Sequence, residues 1–577
     1  MTPRRWFPAC SRTECWMSVL LALAFIGFAL PRAWQTAGQD EILHYVRLGD
    51  DLYRHGLSQG DTLIVFSPHL YGFAIWLSHC VFGAGLVPAR VPGMVAWVTA
   101  LWLAYLWGRG RTRESRSGAG WPLLLLGVGC LLPLAVQGGT IVDIDNGFLV
   151  ALLFLQCWTV DLLVERRDWR SWLGAALATT LALWGRLTTP TILIPLFVAY
   201  ACFRGSWRTG LVVAGALLAG WLGLVATWGA YCLATSVHFS GPFLYLRDSL
   251  FFTTVGSRGA SLRKVLFAGV YLWLWLGGGV LALFALATWW RFREWWREHD
   301  WRREDLFLGA GLFLLAGYSV VGGTLFGFPK YHCPAIPLIL AGCAPILARG
   351  RELPARRAWF WLVGLMGAVL LVQYFLIGDP ILTLRLDLRT AVVSPGTPVR
   401  PVLLRLAMRL LAGLLVLGIP LLIAWWRKAK LLPVLIAVAL GMNVGLLLLQ
   451  NTGGYQTGYN YGDKGDAHRV AEWLRERLAP DSQAMVPGEV VYLLDHPGVP
   501  HLQNDQWKHV PNLLRALELP RMRAAGISII TNDAEQYLTL IANPEIRAVL
   551  DREYTEHQLG NYVLFLRNRP DGEVSQP

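Results

Sequence analysis

The sequence predicts an α-helical polytopic membrane protein of about 13 crossings, followed by a small α/β domain on the outer side. Three observations predict it. Of the 577 residues, 55% are hydrophobic and only 15% charged, against about a quarter charged in soluble domains; mean hydropathy is +0.43. Apolar runs of bilayer-spanning length alternate with loops in which Arg and Lys gather on every second loop. From Asn451 onward these runs stop and mixed helix and strand patterns take over.

Charge and cysteine usage exclude other classes. The formal net charge of +13 could suggest nucleic acid, but the basic residues sit in short loops between apolar spans. That is the positive-inside pattern, so no nucleic-acid partner is expected. The 28 Trp and 18 Tyr suit aromatic belts at the bilayer interfaces. The nine Cys contain no CxxC and none follows residue 450, so neither a zinc site nor a disulfide framework is indicated. Arg4, Arg5 and Arg12 precede the first apolar run without a small-x-small cleavage site, which reads as an uncleaved first helix.

The elements follow in order. The first span, Trp16 to about Leu30, leads into Ala37-Gly38-Gln39-Asp40-Glu41-Ile42-Leu43-His44-Tyr45, an acidic stretch on the outer side. A helix beginning near Gln39 would place Asp40 with His44, and Glu41 with Tyr45, at i and i+4 on one face. Residues 62–86 are apolar but interrupted by Pro68, His69 and His79. If they crossed, the loop carrying Arg109, Arg111, Arg113 and Arg116 would lie outside, so they belong in the outer interface or a re-entrant segment. Crossings at 90–107, 121–137 and 147–164 follow, with Asp143 and Asp145 in the outer loop between the last two. Residues 171–203 form a hairpin with its outer tip at Gly185-Arg186-Leu187-Thr188-Thr189-Pro190. Spans 209–234, 264–290, 306–327, 333–348, 358–377, 403–426 and 431–450 complete the series, with outer loops at 235–262, Phe328 to His332, and 378–402. The domains expected are therefore 1–450, transmembrane, and 451–577. In the latter, 463–479 reads as an amphipathic helix and 483–494, 526–531 and 561–567 as strands. It contains no nucleotide-binding glycine loop, HExxH or GxSxG.

Arginine positions alone set this topology, yet it sorts Asp40, Glu41, Asp143, Asp145, Arg186, Lys330, Tyr331 and His332 onto one side. Ionisable groups at membrane depth are expensive and tend to line polar cavities. All but Tyr331 also have an ordinary alternative. Acidic residues at a helix start favour the helix dipole, Asp143 or Asp145 could cap the helix near Asn146, and Lys330 or Arg186 could snorkel to the headgroups. His332 could be a satisfied interfacial histidine. Four separate loops converging on one side weigh against coincidence.

The order of features resembles the polyprenyl-phosphate-dependent glycosyltransferases of the GT-C superfamily, in the bacterial branch related to protein O-mannosyltransferases and lipid A aminoarabinose transferase. The pieces are Asp40-Glu41 with Tyr45, Pro68-His69-Leu70-Tyr71, Phe82-Gly83 with Ala89-Arg90-Val91-Pro92, an Asp opening the helix after the third crossing, and Lys330-Tyr331-His332 with Pro334 and Pro337. Departures are His44, where the family often has Arg, and Phe66-Ser67, where some members carry an acidic residue. The resemblance implies an inverting transferase that moves a sugar from a polyprenyl-phosphate carrier to a lipid A, glycan or protein acceptor. It places the chain in a bacterial inner membrane, N-terminus cytoplasmic and C-terminal domain periplasmic. It implies Asp40 as general base with Glu41 as substitute or orienter, and Arg186, Lys330 and His332 on the lipid phosphate. Asp143, Asp145, Tyr45, Tyr331 and His69 would meet the sugar or acceptor. The resemblance fixes no cofactor; a divalent metal cation on Asp143 or Asp145 stays an open alternative to the sugar hydroxyls. The competing function is a transporter or flippase for a glycolipid or other anionic lipid. Against it, the halves show no repeat and the charges sit at one rim.

Overall fold

The computed structural model describes residues 11–34, 45–56, 68–112, 120–235, 237–251, 262–321, 328–350, 356–378, 399–428, 430–451, 466–477, 484–485, 490, 528–531, 544–559 and 562–568. They fall into two compact units, one carrying the apolar helices and one the C-terminal elements.

In the first unit α1 (Arg12–Ala33) starts on a capping box: Ser11 Oγ accepts from the Glu14 N–H at 3.1 Å, and Glu14 Oε2 accepts from the Ser11 N–H at 2.7 Å. At its other end Arg90 Nη1 donates to the carbonyls of Arg32 and Ala33 at 3.1 and 2.9 Å, satisfying acceptors that a helix C-terminus leaves open. Next come α2 (Arg47–His55), α3 (Leu70–Phe82), α4 (Leu86–Thr112), α5 (Gly120–Cys130), α6 (Pro133–Thr140) and α7 (Leu149–Arg166). After these come α8 (Trp169–Gly185), α9 (Thr188–Arg204), α10 (Trp207–Thr235) and α11 (Gly241–Phe251). The series continues with α12 (Leu262–Leu276), α13 (Gly278–Glu298), α14 (Arg303–Val321), α15 (Ala335–Gly350) and α16 (Arg356–Val372). Helices Val399–Trp426 and Leu431–Asn451 complete it. At 13 residues, α3 is about 20 Å long, short of the roughly 30 Å hydrocarbon core.

Eight helices are long and apolar enough to span, or ten if each of two bent pairs counts as one, among the described residues. Length and composition thus do not reach the 13 crossings expected, and two expected straight spans are broken. The run at 121–137 bends by 57° between α5 and α6, where Pro133 lacks an N–H and bars a continuous helix. The run at 264–290 bends by 105° between α12 and α13, where Gly277 takes φ +76°, a left-handed conformation that favours glycine.

Helix α15 is almost wholly buried and packs on α4, α5, α13 and α14. Close approach needs small residues here. A Cβ on Gly342 would meet the Leu308 nitrogen at 2.9 Å, and one on Gly93 of α4 would meet the Gly139 carbonyl oxygen at 2.8 Å. The second contact draws α4 against the end of α6, from which the Asp143 loop leaves.

The helix ends on the basic-loop side are tied by ion pairs, the Arg303–Asp161 pair buried and the others partly exposed. Arg303 Nε donates to Asp161 Oδ1 and Oδ2 at 2.8 and 3.0 Å, and Trp107 Nε1 donates to Asp161 Oδ2 at 3.1 Å. Arg291 Nε donates to Asp305 Oδ1 at 2.6 Å, and Arg349 pairs with Glu304. A buried Asp must be paired to stay charged, and here the pairing joins α4, α7 and α14.

In the second unit four strands lie in the order β1 (Ala484–Met485), β2 (Ser528–Thr531), β4 (Tyr562–Arg567), β3 (Tyr554–Leu559). Strands β1 and β2 are parallel; β2–β4 and β3–β4 are antiparallel, with Ile530 opposite Leu564 and His557 opposite Leu564 on the other side. Val470, Ala471 and Leu474 of helix Asp466–Arg477 pack on Tyr562 and Leu564. Strand β3 was not expected: Thr555, Glu556 and His557 give it no apolar run, and it is held by pairing at the sheet edge instead.

Candidate active site

The site is built where three breaks in the helices meet. Between α6 and α7 the chain passes through Asp143 and a π-type turn, Ile144–Phe148. Asp143 caps that turn, its Oδ1 accepting from the Asp145 N–H at 2.9 Å, so the capping alternative is correct for Asp143 and does not exhaust its role. Asn146 fixes the loop from within: Nδ2 donates to the carbonyls of Gly138 and Ile141 at 2.9 and 3.1 Å, and its own carbonyl accepts from Trp97 Nε1 at 2.6 Å. Arg186 occupies the gap between α8 and α9. Lys330, Tyr331 and His332 form a single 3-10 turn ahead of α15.

These segments bring their charges together in the interior. Lys330 Nζ donates to Asp143 Oδ2 at 2.8 Å across 187 residues of sequence, and both side chains are buried. Arg186 Nη1 lies 3.4 Å from Asp145 Oδ2, again with both buried. Burial alone would raise the Asp143 carboxyl; the Lys330 charge and hydrogen bond outweigh it and hold the group below its ordinary value. Burial would likewise lower the Arg186 guanidinium, but Asp145 leads the groups that hold it well above its ordinary value. The two pairs are not equivalent: Asp143 is hydrogen-bonded, whereas neither Asp145 oxygen accepts a hydrogen bond although both are buried.

Tyrosines frame the charges. Tyr331 stacks on Tyr318 with ring centroids 5.3 Å apart, and the Tyr318 hydroxyl meets Thr189 Oγ1 at 2.6 Å. The Arg186 guanidinium sits 5.2 Å from the Tyr245 ring centroid and 6.0 Å from that of Tyr331. Tyr45 lies in the turn ahead of α2, its ring 5.4 Å from that of Tyr71. Its phenol is raised well above the ordinary value, first by burial and then by the nearby Asp143 charge. The site thus offers fixed cations, buried carboxylates and phenolic hydroxyls around one polar centre, a set suited to an anionic group joined to a polyhydroxylated one.

Residues 67–231 match the family model described as dolichyl-phosphate-mannose-protein mannosyltransferase. The crystal structure of ArnT from Cupriavidus metallidurans bound to undecaprenyl phosphate aligns with a TM-score of 0.61 at 13% identity, over 96% of this chain and 98% of that one. The apo structure of the same protein aligns at 0.58 and 14% identity, with the same coverage. The chain has the GT-C fold. No curated protein matches the sequence. The matched stretch holds His69, Asp143, Asp145 and Arg186, while Lys330, Tyr331 and His332 lie beyond it.

The structure therefore groups Asp143, Asp145, Arg186, Lys330 and Tyr331, with Tyr45 beside them. Lys330 does not snorkel: it is buried on a carboxylate. His332 is fully buried, its Nε2 3.2 Å from Ser319 Oγ and its ring near Tyr318. His69 has a different environment. Its Nδ1 lies 2.9 Å from the Tyr231 hydroxyl and its ring is edge-on to Trp228 and Tyr231, and burial lowers its pKa to about 4. Asp40, Glu41 and His44 lie outside the described residues. Among the described residues, no group of three His, Cys, Asp or Glu converges as a metal site. Asp143 and Asp145 each already face a fixed cation, so these residues alone supply no ligand set for a divalent ion. Tyr245 and Thr188 were not singled out in the sequence; both hydrogen-bond Arg186.

Proposed function

We propose that this protein is an inverting glycosyltransferase that moves a sugar from a polyprenyl-phosphate carrier to an envelope acceptor: lipid A, a glycan or a protein. The observation that carries the proposal is the buried pairing of Arg186 with Asp145 and of Lys330 with Asp143 inside a GT-C fold. ArnT was crystallised with undecaprenyl phosphate, and a lipid phosphate needs fixed cations in a low-dielectric site. Arg186 is the better placed of the two, because Lys330 already donates to Asp143. As the bond from the anomeric carbon to the phosphate oxygen breaks, charge grows on the phosphate. A preorganised guanidinium stabilises that charge without reorganising. Asp145, with two buried oxygens that accept no hydrogen bond, is suited to receive sugar hydroxyls. Tyr45 and Tyr331 border the same space.

Asp40 is assigned as the base that takes the acceptor's hydroxyl proton, with Glu41 as its orienter. His332 supports the phosphate side from behind Tyr318 and Ser319, and His69 belongs to the acceptor side. Residues 1–450 act as the transferase domain and 451–577 as an accessory α/β domain, with the site facing the periplasm of a bacterial inner membrane. The test is transfer from a radiolabelled polyprenyl-phosphate sugar by purified protein in detergent. Asp40→Asn should lower turnover by about 10²- to 10⁴-fold with normal folding. Near-normal transfer by that variant removes the assignment, and lipid movement without sugar release replaces the transferase with a flippase.

A further inference from the structure

Arg186 is held by an unusual set of neutral groups, all but one of which come from loop or helix segments outside its own turn. Its Nε donates to Thr188 Oγ1 at 3.2 Å, and its Nη2 donates to the Tyr245 hydroxyl at 3.1 Å. The Tyr245 and Tyr331 rings lie 5.2 and 6.0 Å from the guanidinium carbon. Tyr245 belongs to α11, whose Phe243 and Leu246 pack on a cluster that includes Trp228 of α10 and Leu187 of the turn after α8. Helix α11 is therefore anchored through its apolar side while Tyr245 reaches the cation.

A guanidinium has five N–H donors in a rigid planar fork. Thr188 uses the one on Nε and Tyr245 uses one on Nη2. The edge formed by Nη1 and the second Nη2 hydrogen carries neither of these bonds, and its Nη1 lies 3.4 Å from an Asp145 oxygen that accepts no hydrogen bond. That edge is the one a phosphate would engage with two parallel hydrogen bonds. Neutral clamps keep the full charge of Arg186 available, whereas a second carboxylate would cancel it.

We propose that Tyr245 is a positioning residue for the lipid phosphate. It orients the Arg186 guanidinium through its hydroxyl and, with Tyr331, through its ring, so that α11 completes the phosphate subsite. This rests on the reading of Arg186 as the phosphate-binding cation, and the experiment separates the two. Full-length protein in detergent is titrated with farnesyl phosphate and, separately, with farnesol, which has the same chain and no charge. Thermal melting is recorded for every variant.

Tyr245→Phe keeps the ring and removes the hydroxyl, and should weaken farnesyl phosphate binding about fivefold. Tyr245→Ala removes both and should weaken it about twentyfold. Farnesol affinity and melting temperature should stay at the wild-type values for Tyr245→Phe, which also serves if Tyr245→Ala fails to fold. Arg186→Gln should abolish the preference for the phosphate over the alcohol. If Arg186→Gln loses that preference while both Tyr245 variants bind within twofold of wild type, the role of Tyr245 is overturned and that of Arg186 stands. If Arg186→Gln binds farnesyl phosphate normally, the reading of Arg186 falls and Tyr245 falls with it. If Tyr245→Phe weakens phosphate and alcohol equally, Tyr245 shapes the apolar groove and the proposal is overturned.

Discussion

Replacing Lys330 by methionine would leave the Asp143 carboxylate buried without its ammonium partner, and the cost can be estimated from the geometry. At 2.8 Å and an effective dielectric of about 20, the gross Coulomb attraction is about 6 kcal/mol. Desolvation of the two ions offsets much of that, so the net worth of the pair is far smaller than the cost of breaking it. Removing one partner of such a pair costs about 3–5 kcal/mol. Asp143→Asn should cost a similar amount by stranding the ammonium, while retaining the side-chain oxygen that caps the π-type turn. The double variant carries neither charge. It should recover about 2–4 kcal/mol relative to the sum of the single variants, since no unpaired ion remains. Equilibrium unfolding in mixed micelles by sodium dodecyl sulfate titration measures all three. Single variants within about 0.5 kcal/mol of wild type, or a double variant whose loss is simply additive, would refute the reasoning.

Three further outcomes are expected. Arg303→Met strands Asp161 at the opposite end of α7 and should destabilise the protein by about 3–5 kcal/mol with farnesyl phosphate affinity unchanged in the folded fraction, checked by the same unfolding titration and by binding. His69 stays neutral in the fold: because its pKa is depressed to about 4, it contributes stability that is fully present above the unfolded value of 6.5 and is lost as the pH falls through 4. That window is worth about 3 kcal/mol, so melting temperature should fall more steeply between pH 6.5 and 4 in wild type than in His69→Gln; parallel curves would contradict it. Gly93→Val should destabilise by about 1–3 kcal/mol and reduce transfer, because its Cβ would meet the Gly139 carbonyl oxygen at 2.8 Å and the Tyr71 hydroxyl at 2.9 Å. Unfolding and transfer assays on the one variant test both halves.

Arginine-rich loops made most of the helix order legible, because the cost of moving cations across a membrane ties loop charge to side. The same logic placed Asp143, Asp145, Arg186 and Lys330 on one rim before any contact was known. It could not pair them. Lys330 and Asp143 are 187 residues apart, and nothing local to either distinguishes a buried partner from a snorkelling lysine. Tyr245 escaped notice for a related reason. Its segment reads as an outer loop, and only packing of α11 on Trp228 and Leu187 brings it to Arg186. Asp161 carries a signal of its own in the sequence: a carboxylate within the apolar run of α7 must have a cation nearby. The bend at Gly277 was also written in the sequence, as three consecutive glycines at 277–279, but a hydropathy window averages over them. Strand β3 was hidden because an edge strand can be held by its neighbour's backbone with little apolar content.

The two ends of α7 show how burial of charge can serve opposite ends. Asp145 and Asp161 are separated by 16 residues, about 24 Å along a helix. At Asp161 the guanidinium of Arg303 donates to both carboxylate oxygens and also reaches Glu165, with Trp107 donating to Asp161 as well. Each charge there is met by a partner, so that end resists any change that separates α4, α7 and α14. At Asp145 the guanidinium of Arg186 stands 3.4 Å off, with its hydrogen bonds given to a threonine and a tyrosine. Both ends carry an Arg–Asp pair at low exposure, and they differ in where the hydrogen bonds go. A structural pair gains by satisfying its carboxylate within the protein. A binding site gains by holding the cation with neutral groups and leaving the carboxylate's acceptors for ligand donors. The contrast supports the proposal that the chemistry lies at the Asp145 end of α7, on physical grounds that do not depend on the arginine count of the loops.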